Sequence, residues 1–263
     1  MEIGKSSVSV HRRNAVAVVS FSNPPNNHIN LLLLRQIVEV LEELDEDPDC
    51  RATVLRSDGR IFCAGADLST PNGIGDDASE SFGVSTAKLY EQAVRLFANR
   101  KPIVASVQGA AIGAGLGLAL AADFRVAAPE ARFSANFVKL GYHPGFGITH
   151  TLPRVIGEQR AALLLLTGER LQGATAHEWG LVDRLSPLDE LFEQSMDLAE
   201  ELAANGPLAV EATRRTLRHG LAEKVRAATA AEAAAQLVLN DTHDFAEGIR
   251  AVQERRPGKF ERR

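Results

Sequence analysis

The sequence predicts an α/β fold that gives way to an all-helical C-terminal region, and three observations carry that reading. Through the first two thirds of the chain, short β-branched runs alternate with stretches of helical periodicity. From Pro187 onward the strand signals vanish and one helical pattern follows another. A length of 263 residues suffices for one large domain or a domain with an appendage, and 45% hydrophobic with 24% charged residues is ordinary globular composition.

The elements follow in order. Ala15-Val16-Ala17-Val18-Val19-Ser20-Phe21 reads as a strand that ends at Asn23-Pro24-Pro25. In the next helix Leu34, Ile37, Val38, Leu41 and Leu44 share one face, while Arg35, Glu39, Glu42 and Glu43 point to water, and Pro48 lies just beyond its end. Ala52-Thr53-Val54-Leu55-Arg56 is a second strand, closed by Ser57-Asp58-Gly59. Residues 69–83 are rich in Gly, Ser and Asp and are expected to form a mobile loop. A helix is expected from Ser85 to Asn99, a buried strand over Pro102–Val107, a helix over Gly113–Ala122 and a strand over Phe124–Ala127. No exact period accompanies the alternation, so it is not a simple repeat array.

Pro187 suits a first helical position, with Asp189 and Glu190 in the first turn. Later helices should end near Asn205-Gly206 and His219-Gly220. This divides the chain into residues 1–188, the core, and 189–263, a helical region. Its apolar stretch Ala227–Leu239 must bury itself within the chain or in an oligomer.

Composition excludes several function classes. The formal net charge is −5, and Lys and Arg cluster only in the tail Arg255–Arg263, which argues against nucleic-acid binding. Cys50 and Cys63 make no disulfide framework and suit a reducing compartment. Met1-Glu2-Ile3-Gly4 has no apolar signal region. The run Gly109–Ala122 is glycine-rich and shorter than the ~20 residues a membrane span needs. The expectation is a cytoplasmic protein that engages neither membrane nor nucleic acid and holds no metal.

Two segments carry chemistry. The first, Ile61-Phe62-Cys63-Ala64-Gly65-Ala66-Asp67-Leu68, follows a strand and sets small residues around a glycine, so backbone N–H groups can face outward unobstructed. Asp67 suits a cap for the following turn. The second, Gln108-Gly109-Ala110-Ala111-Ile112-Gly113-Ala114-Gly115-Leu116-Gly117-Leu118-Ala119, follows a strand and opens a helix, whose free N–H groups and partial positive charge suit a phosphate or an oxyanion. Gly113, Gly115 and Gly117 lie two apart, which is not the dinucleotide fingerprint, and no P-loop lysine follows. Tight helix packing through small residues accounts equally well for this segment alone.

Taken together, the two segments and their separation resemble the enoyl-CoA hydratase/isomerase (crotonase) superfamily. The resemblance continues through Ala121-Ala122-Asp123, Leu140-Gly141-Tyr142-His143-Pro144-Gly145-Phe146-Gly147, Leu152-Pro153-Arg154-Val155-Ile156-Gly157, Leu166-Thr167-Gly168-Glu169-Arg170 and Gly180-Leu181-Val182-Asp183. It reaches Glu247-Gly248-Ile249 and Arg255-Arg256-Pro257, covering residues 14–260. It implies a spiral of ββα units with a C-terminal helical region that forms homotrimers, commonly paired into hexamers. It also implies a CoA thioester as ligand, with coenzyme A as part of the substrate and no tightly bound cofactor. By the same resemblance, the amides of Ala66 and Ala114 form an oxyanion hole for the thioester carbonyl. Asn26, His28, Ala64, Asp67 and Leu68 line the path of the CoA, with Gly113 and Phe137 beside the hole.

The chain departs from that pattern at the acid–base pair. The family's hydratases carry two glutamates, the first three residues after the second amide donor and the second on the stretch after Phe133. Here those positions are Gly117 and Phe137. The family's isomerases retain the second glutamate, so that chemistry is in doubt too. General acid–base help is worth ~10²–10⁴-fold per group, so a standard hydratase reading fails at the residue level. His143, in a loop from which relatives place catalytic groups, is the first candidate replacement, and His28 the second. A turn histidine and a histidine stacked near CoA are the respective structural alternatives. Asp67 reads as a binding or capping residue, Glu91 as solvated, and Phe137 as a wall that favours an apolar acyl group.

Three functions stay open. One is a divergent acyl-CoA enzyme of lyase or isomerase type, in fatty-acid or related catabolism. Another is a non-catalytic acyl-CoA binder. The third is a CoA-independent hydrolase of a diketone C–C bond using His143 and His28. A Clp-like serine protease is excluded, because Ala114 and Gly115 stand where its nucleophile would be.

Overall fold

A computed structural model describes residues 7–68, 73–75, 77 and 79–263. Its main sheet has the order β1-β2-β3-β4-β6-β9. These strands are β1 (Ser7–Arg13), β2 (Val16–Ser22), β3 (Ala52–Ser57), β4 (Ile103–Val107), β6 (Phe124–Ala127) and β9 (Arg184–Leu185). A second sheet orders β5 (Ala110–Ile112), β7 (Arg132–Ser134) and β8 (Arg170–Gln172). β1–β2 and β7–β8 pair antiparallel and the other pairs run parallel. β2, β3 and β4 are rich in β-branched residues and buried on both faces, as coverage by helices on each side demands.

Alternation along the strands sorts the side chains. Ala17, Val19, Phe21, Leu55, Ala105 and Val107 enter the large core. Val16, Val18, Ala52, Val54, Val104 and Val126 enter a second cluster on the other face. In register, Val18 stands beside Val54 and Val54 beside Val104, so one apolar stripe crosses three strands. α1 (Leu31–Glu46) covers the first face with Leu34, Ile37, Val38, Leu41 and Leu44, all buried, while Glu39, Glu42 and Glu43 face solvent and Arg35 is half-buried. Asn30 caps it, its side chain accepting from the Leu33 amide.

α2 (Phe82–Ala98) starts three residues earlier than expected, where Ser81 accepts from the Val84 amide. The polar stretch 69–83 lies partly outside the described residues, namely 69–72, 76 and 78. α3 (Ala114–Ala121) is fully buried. α4 (Ile148–Ile156), α5 (Glu158–Thr167) and α6 (Gly173–Glu178) follow. No helix among the described residues is long and apolar enough to cross a membrane.

The C-terminal helices are α7 (Leu191–Ala203), α8 (Pro207–Leu217), α9 (Leu221–Asn240) and α10 (His243–Gln253). Pro187 does not open α7. Its carbonyl accepts from the Glu190 amide, closing a turn, and the helix begins one residue later. Gly206, by contrast, leads into Pro207 at the first position of α8. α7 lies on the second face of the main sheet, where Leu191, Met196, Leu198 and Ala199 pack on Val16, Val54 and Val126. α9 packs on α2 and α4, and α10 on a 3₁₀ turn at Asn136–Leu140.

Candidate active site

The two glycine-bearing segments meet. Cys63 and Ala111 form a β-bridge, the Cys63 amide donates to Ala110 O and the Ile112 amide to Cys63 O, both at 2.9 Å. The approach leaves no room for side chains: a Cβ on Gly65 would lie 2.7 Å from Ile112 O, and one on Gly115 2.2 Å from Cys63 O. Gly65 also has φ +86°, a conformation that L residues rarely adopt. Backbone contact thus forces the small residues, and that same contact brings Gly65 beside the start of α3.

The amides at this junction are uncommitted. The Gly113 amide donates to Ser134 O at 2.8 Å, and the first helical bond of α3 runs from the Gly117 amide to Gly113 O at 3.1 Å. The intervening Ala114 amide has no protein acceptor among the described residues, as its place in the first turn requires. The Ala66 amide likewise donates to no described acceptor. Both residues line one cavity of about 490 Å³. A Cβ on Gly65 would stand 3.5 Å from the Ala114 nitrogen, so the two donor-bearing segments are in contact there. Two free N–H groups in such a setting suit a developing oxyanion.

The same cavity gathers Asn26, His28, Ala64, Asp67, Leu68, Gly113 and Phe137, all expected from the sequence. Asn26 O accepts from the Ala64 amide at 3.2 Å, and Gly65 O accepts from the Ile29 amide at 2.9 Å. His28 Nδ1 lies 3.1 Å from Gly65 O, an acceptor only, so Nδ1 is the donor of this pair. Asn27 sets this turn: its side chain donates to Asp58 O and Ile61 O, each at 2.7 Å, and accepts from the Asn23 amide. That anchor was not foreseen. Its signal is the Asn itself, buried at φ +51° after the prolines.

The far wall was also unforeseen. Ile249, Val252 and Gln253 of α10 close the cavity together with Leu140. α10 is tied down through Glu247, whose carboxylate accepts from the Arg256 guanidinium and from the Lys259 amide. The Arg256 bond, above all, holds the Glu247 carboxyl down to about 2.

His143 falls outside this lining. Its Nδ1 faces Pro144 O at 2.7 Å, and its own carbonyl accepts from Gln236 at 2.9 Å. The loop is pinned by α9. Tyr90 donates to Gln236, and buried Glu232 accepts from the Gly147 and Thr149 amides. Burial raises the Tyr90 and Glu232 pKa values. Glu91 is exposed.

The reason for Gly117 becomes visible here. A Cβ at that position would lie 2.5 Å from Cδ1 and 3.0 Å from Cβ of Phe146, which is 1% exposed and held at φ +65°. Phe146 occupies the space into which a side chain at 117 would extend. Phe137 stands at the other position, 8% exposed, its ring 3.5 Å from a Cβ placed on Gly113. Phe137 thus walls the cavity, whereas Phe146 and Gly117 pack against each other behind its lining. At the junction, burial pushes the Cys63 thiol up to about 12, which leaves it protonated and inert.

Comparison with known proteins agrees with the fold. The enoyl-CoA hydratase/isomerase family model matches residues 11–263. The chain is 34% identical over 259 residues to 2,3-dehydroadipyl-CoA hydratase of Escherichia coli, covering 98% of this chain and 100% of the relative. It is 31% identical over 252 residues to 1,2-epoxyphenylacetyl-CoA isomerase of the same organism, covering 95% and 96%. The crystal structure of an enoyl-CoA hydratase/isomerase from Pseudoalteromonas atlantica superposes with a TM-score of 0.84 at 29% identity, covering 97% of this chain and all of that one. The chain belongs to the enoyl-CoA hydratase/isomerase family, with the crotonase fold.

Proposed function

We propose that this protein is an acyl-CoA enzyme that polarises the thioester carbonyl on the Ala66 and Ala114 amides and moves a proton at the adjoining carbon with His28. The observation that carries the reading is the pair of uncommitted amides lining one cavity at the junction of the two segments. Transfer of the α-proton to His28 Nε2 would place the negative charge on the thioester oxygen, where two N–H donors meet it. One such donor is worth ~2.7–4 kcal/mol in comparable sites. Asn26, Ala64, Asp67 and Leu68 would hold the CoA, and Phe137, Leu140, Ile249 and Val252 favour an apolar acyl group. Hydration by paired carboxylates has no support, because Phe146 fills the space at Gly117. His28 replaces His143 in this role because His28 lines the cavity and His143 does not. For the same reason a paired use of both histidines on a diketone lacks a shared site. Exposed Leu208, Leu237 and Val238 support trimerisation through residues 189–263.

The test is exchange of the α-proton of butanoyl-CoA in D₂O. The wild type should catalyse it, and His28→Ala should lose ~10²–10⁴-fold while still binding the thioester. Unchanged exchange in His28→Ala removes the histidine. Saturable binding without any exchange favours a second reading, a non-catalytic acyl-CoA binder, for which the apolar Gly117–Phe146 contact already speaks.

A further inference from the structure

α3 joins two cavities. Its first residue, Ala114, lines the one described above, and Leu120 near its end lines a separate cleft of about 640 Å³. That cleft lies between the C-terminal end of α3, the helix α4 and the α7–α8 connection, and the two linings share no residue. Its walls are largely apolar, with Phe97, Leu120, Val155, Leu202 and Val210 among them. Its volume falls within the range typical of small-molecule sites, about 300–1,000 Å³.

Charge is unbalanced there. Arg125, Arg154, Arg214 and Arg218 line the cleft, against one carboxylate among the described lining residues, Asp123. Asp123 is shared: Arg214 Nε donates to both its oxygens, at 3.0 and 2.9 Å, and Arg218 Nη1 donates to one at 3.1 Å. Arg125 pairs instead with Asp183 at 3.2 Å. Arg154 has no salt bridge among the described residues, and its guanidinium donates to Leu217 O. The Arg214 side chain is 8% exposed, and both its Nη2 and Arg218 Nε are buried without an acceptor. Burial, with Arg214 beside it, lowers the Arg218 pKa to about 10. Unpartnered buried donors are costly, and charged ones more so. An anion at this end of the cleft would offset the excess.

We propose that this cleft binds an amphipathic anion, a medium- or long-chain free carboxylate, with its head toward Arg154, Arg214 and Arg218 and its chain along Leu120, Val155 and Val210. An apolar trough that ends in surplus guanidinium groups complements such a molecule at both ends. A cationic or neutral amphiphile would leave the charge uncompensated.

Isothermal titration of the whole protein with dodecanoate, with and without excess acetyl-CoA, tests this. Saturable binding that acetyl-CoA does not displace is expected, with dodecylammonium binding at least tenfold more weakly. Arg154→Ala, at an exposed position, should weaken dodecanoate at least tenfold. Ala209→Trp, on the exposed rim, should block the cleft and abolish binding with the thermal midpoint unchanged. Absence of dodecanoate binding, displacement by acetyl-CoA, equal affinity for dodecylammonium, or unchanged affinity in Arg154→Ala would each overturn the proposal. So would an Ala209→Trp protein that sediments as a smaller species while the wild type binds no dodecanoate, since a second copy would then fill the cleft.

Discussion

Replacing Ala114 by proline removes one hydrogen-bond donor from the cavity and sets the ring Cδ where the N–H pointed, while leaving the helix intact. Ala114 is the first residue of α3, and its amide has no acceptor among the described residues. Proline is favoured at that helical position, where its missing N–H costs no helical bond. The first bond of the helix, from the Gly117 amide to Gly113 O, is untouched. Folding stability should therefore change by less than about 1 kcal/mol. The thioester, however, loses one of two donors, a loss of about 2.7–4 kcal/mol in the transition state, or about 10²–10³-fold in rate. The assay pairs thermal denaturation with the carbonyl stretch of bound ¹³C-labelled butanoyl-CoA and with α-proton exchange. In the wild type the stretch should fall to lower frequency on binding. In Ala114→Pro it should return most of the way to its solution value, and exchange should drop by the stated factor. A folded Ala114→Pro protein with the wild-type carbonyl shift and exchange rate would refute the assignment of the oxyanion hole.

Further expectations follow from neighbouring contacts. Gly117→Glu alone should destabilise the protein by about 1–3 kcal/mol, because its Cβ meets Phe146, and should bring no hydratase activity. Adding Phe146→Gly frees that space and suits φ +65° but empties a fully buried site, so the double variant should be about 3–5 kcal/mol less stable than the wild type; with Phe137→Glu as well, crotonyl-CoA hydration should rise above the wild-type level, read as loss of enoyl absorbance. Cys63, buried with its pKa at about 12, should resist thiol reagents until the protein unfolds, so its labelling rate should follow denaturant concentration. The Glu247 carboxyl, at about 2 when folded, lies below its ordinary value of ~4.3. Its stabilisation of α10 is therefore complete above ~4.3 and lost as pH falls toward 2. The difference in thermal midpoint between wild type and Glu247→Gln should shrink over that window, and a difference that persists at the lowest pH would contradict the pairing.

The legible parts of the fold were those with strong local periodicity. β2, β3 and β4 open on β-branched and alanine runs, and α1 carries its core face on a 3.6-residue period, so both fall where the pattern puts them. β1 gives a weak signal because it is an exposed edge strand whose alternation of Ser7 and Ser9 with Val8 and Val10 stops after two apolar residues. β5, β7 and β8 have three residues each, too few to show a period. Pro187 misled because a turn can use the same proline and acidic residues as a helix start.

At the site, the sequence by itself determined the two small-residue segments. Gly65 and Gly115 are dictated by backbone approach, and local spacing records them. It likewise determined that no carboxylate stands at 117 or 137. What only the tertiary structure decided is what occupies the space instead. Phe146 lies far along the chain from Gly117, and the left-handed backbone that turns its ring inward is set by a loop pinned to α9. The same holds for His143: packing turns its Nδ1 to Pro144 O and leaves it outside the cavity that His28 lines. Backbone donors are specified by neighbours in sequence, whereas cavity walls are specified by residues that meet only after the chain has folded.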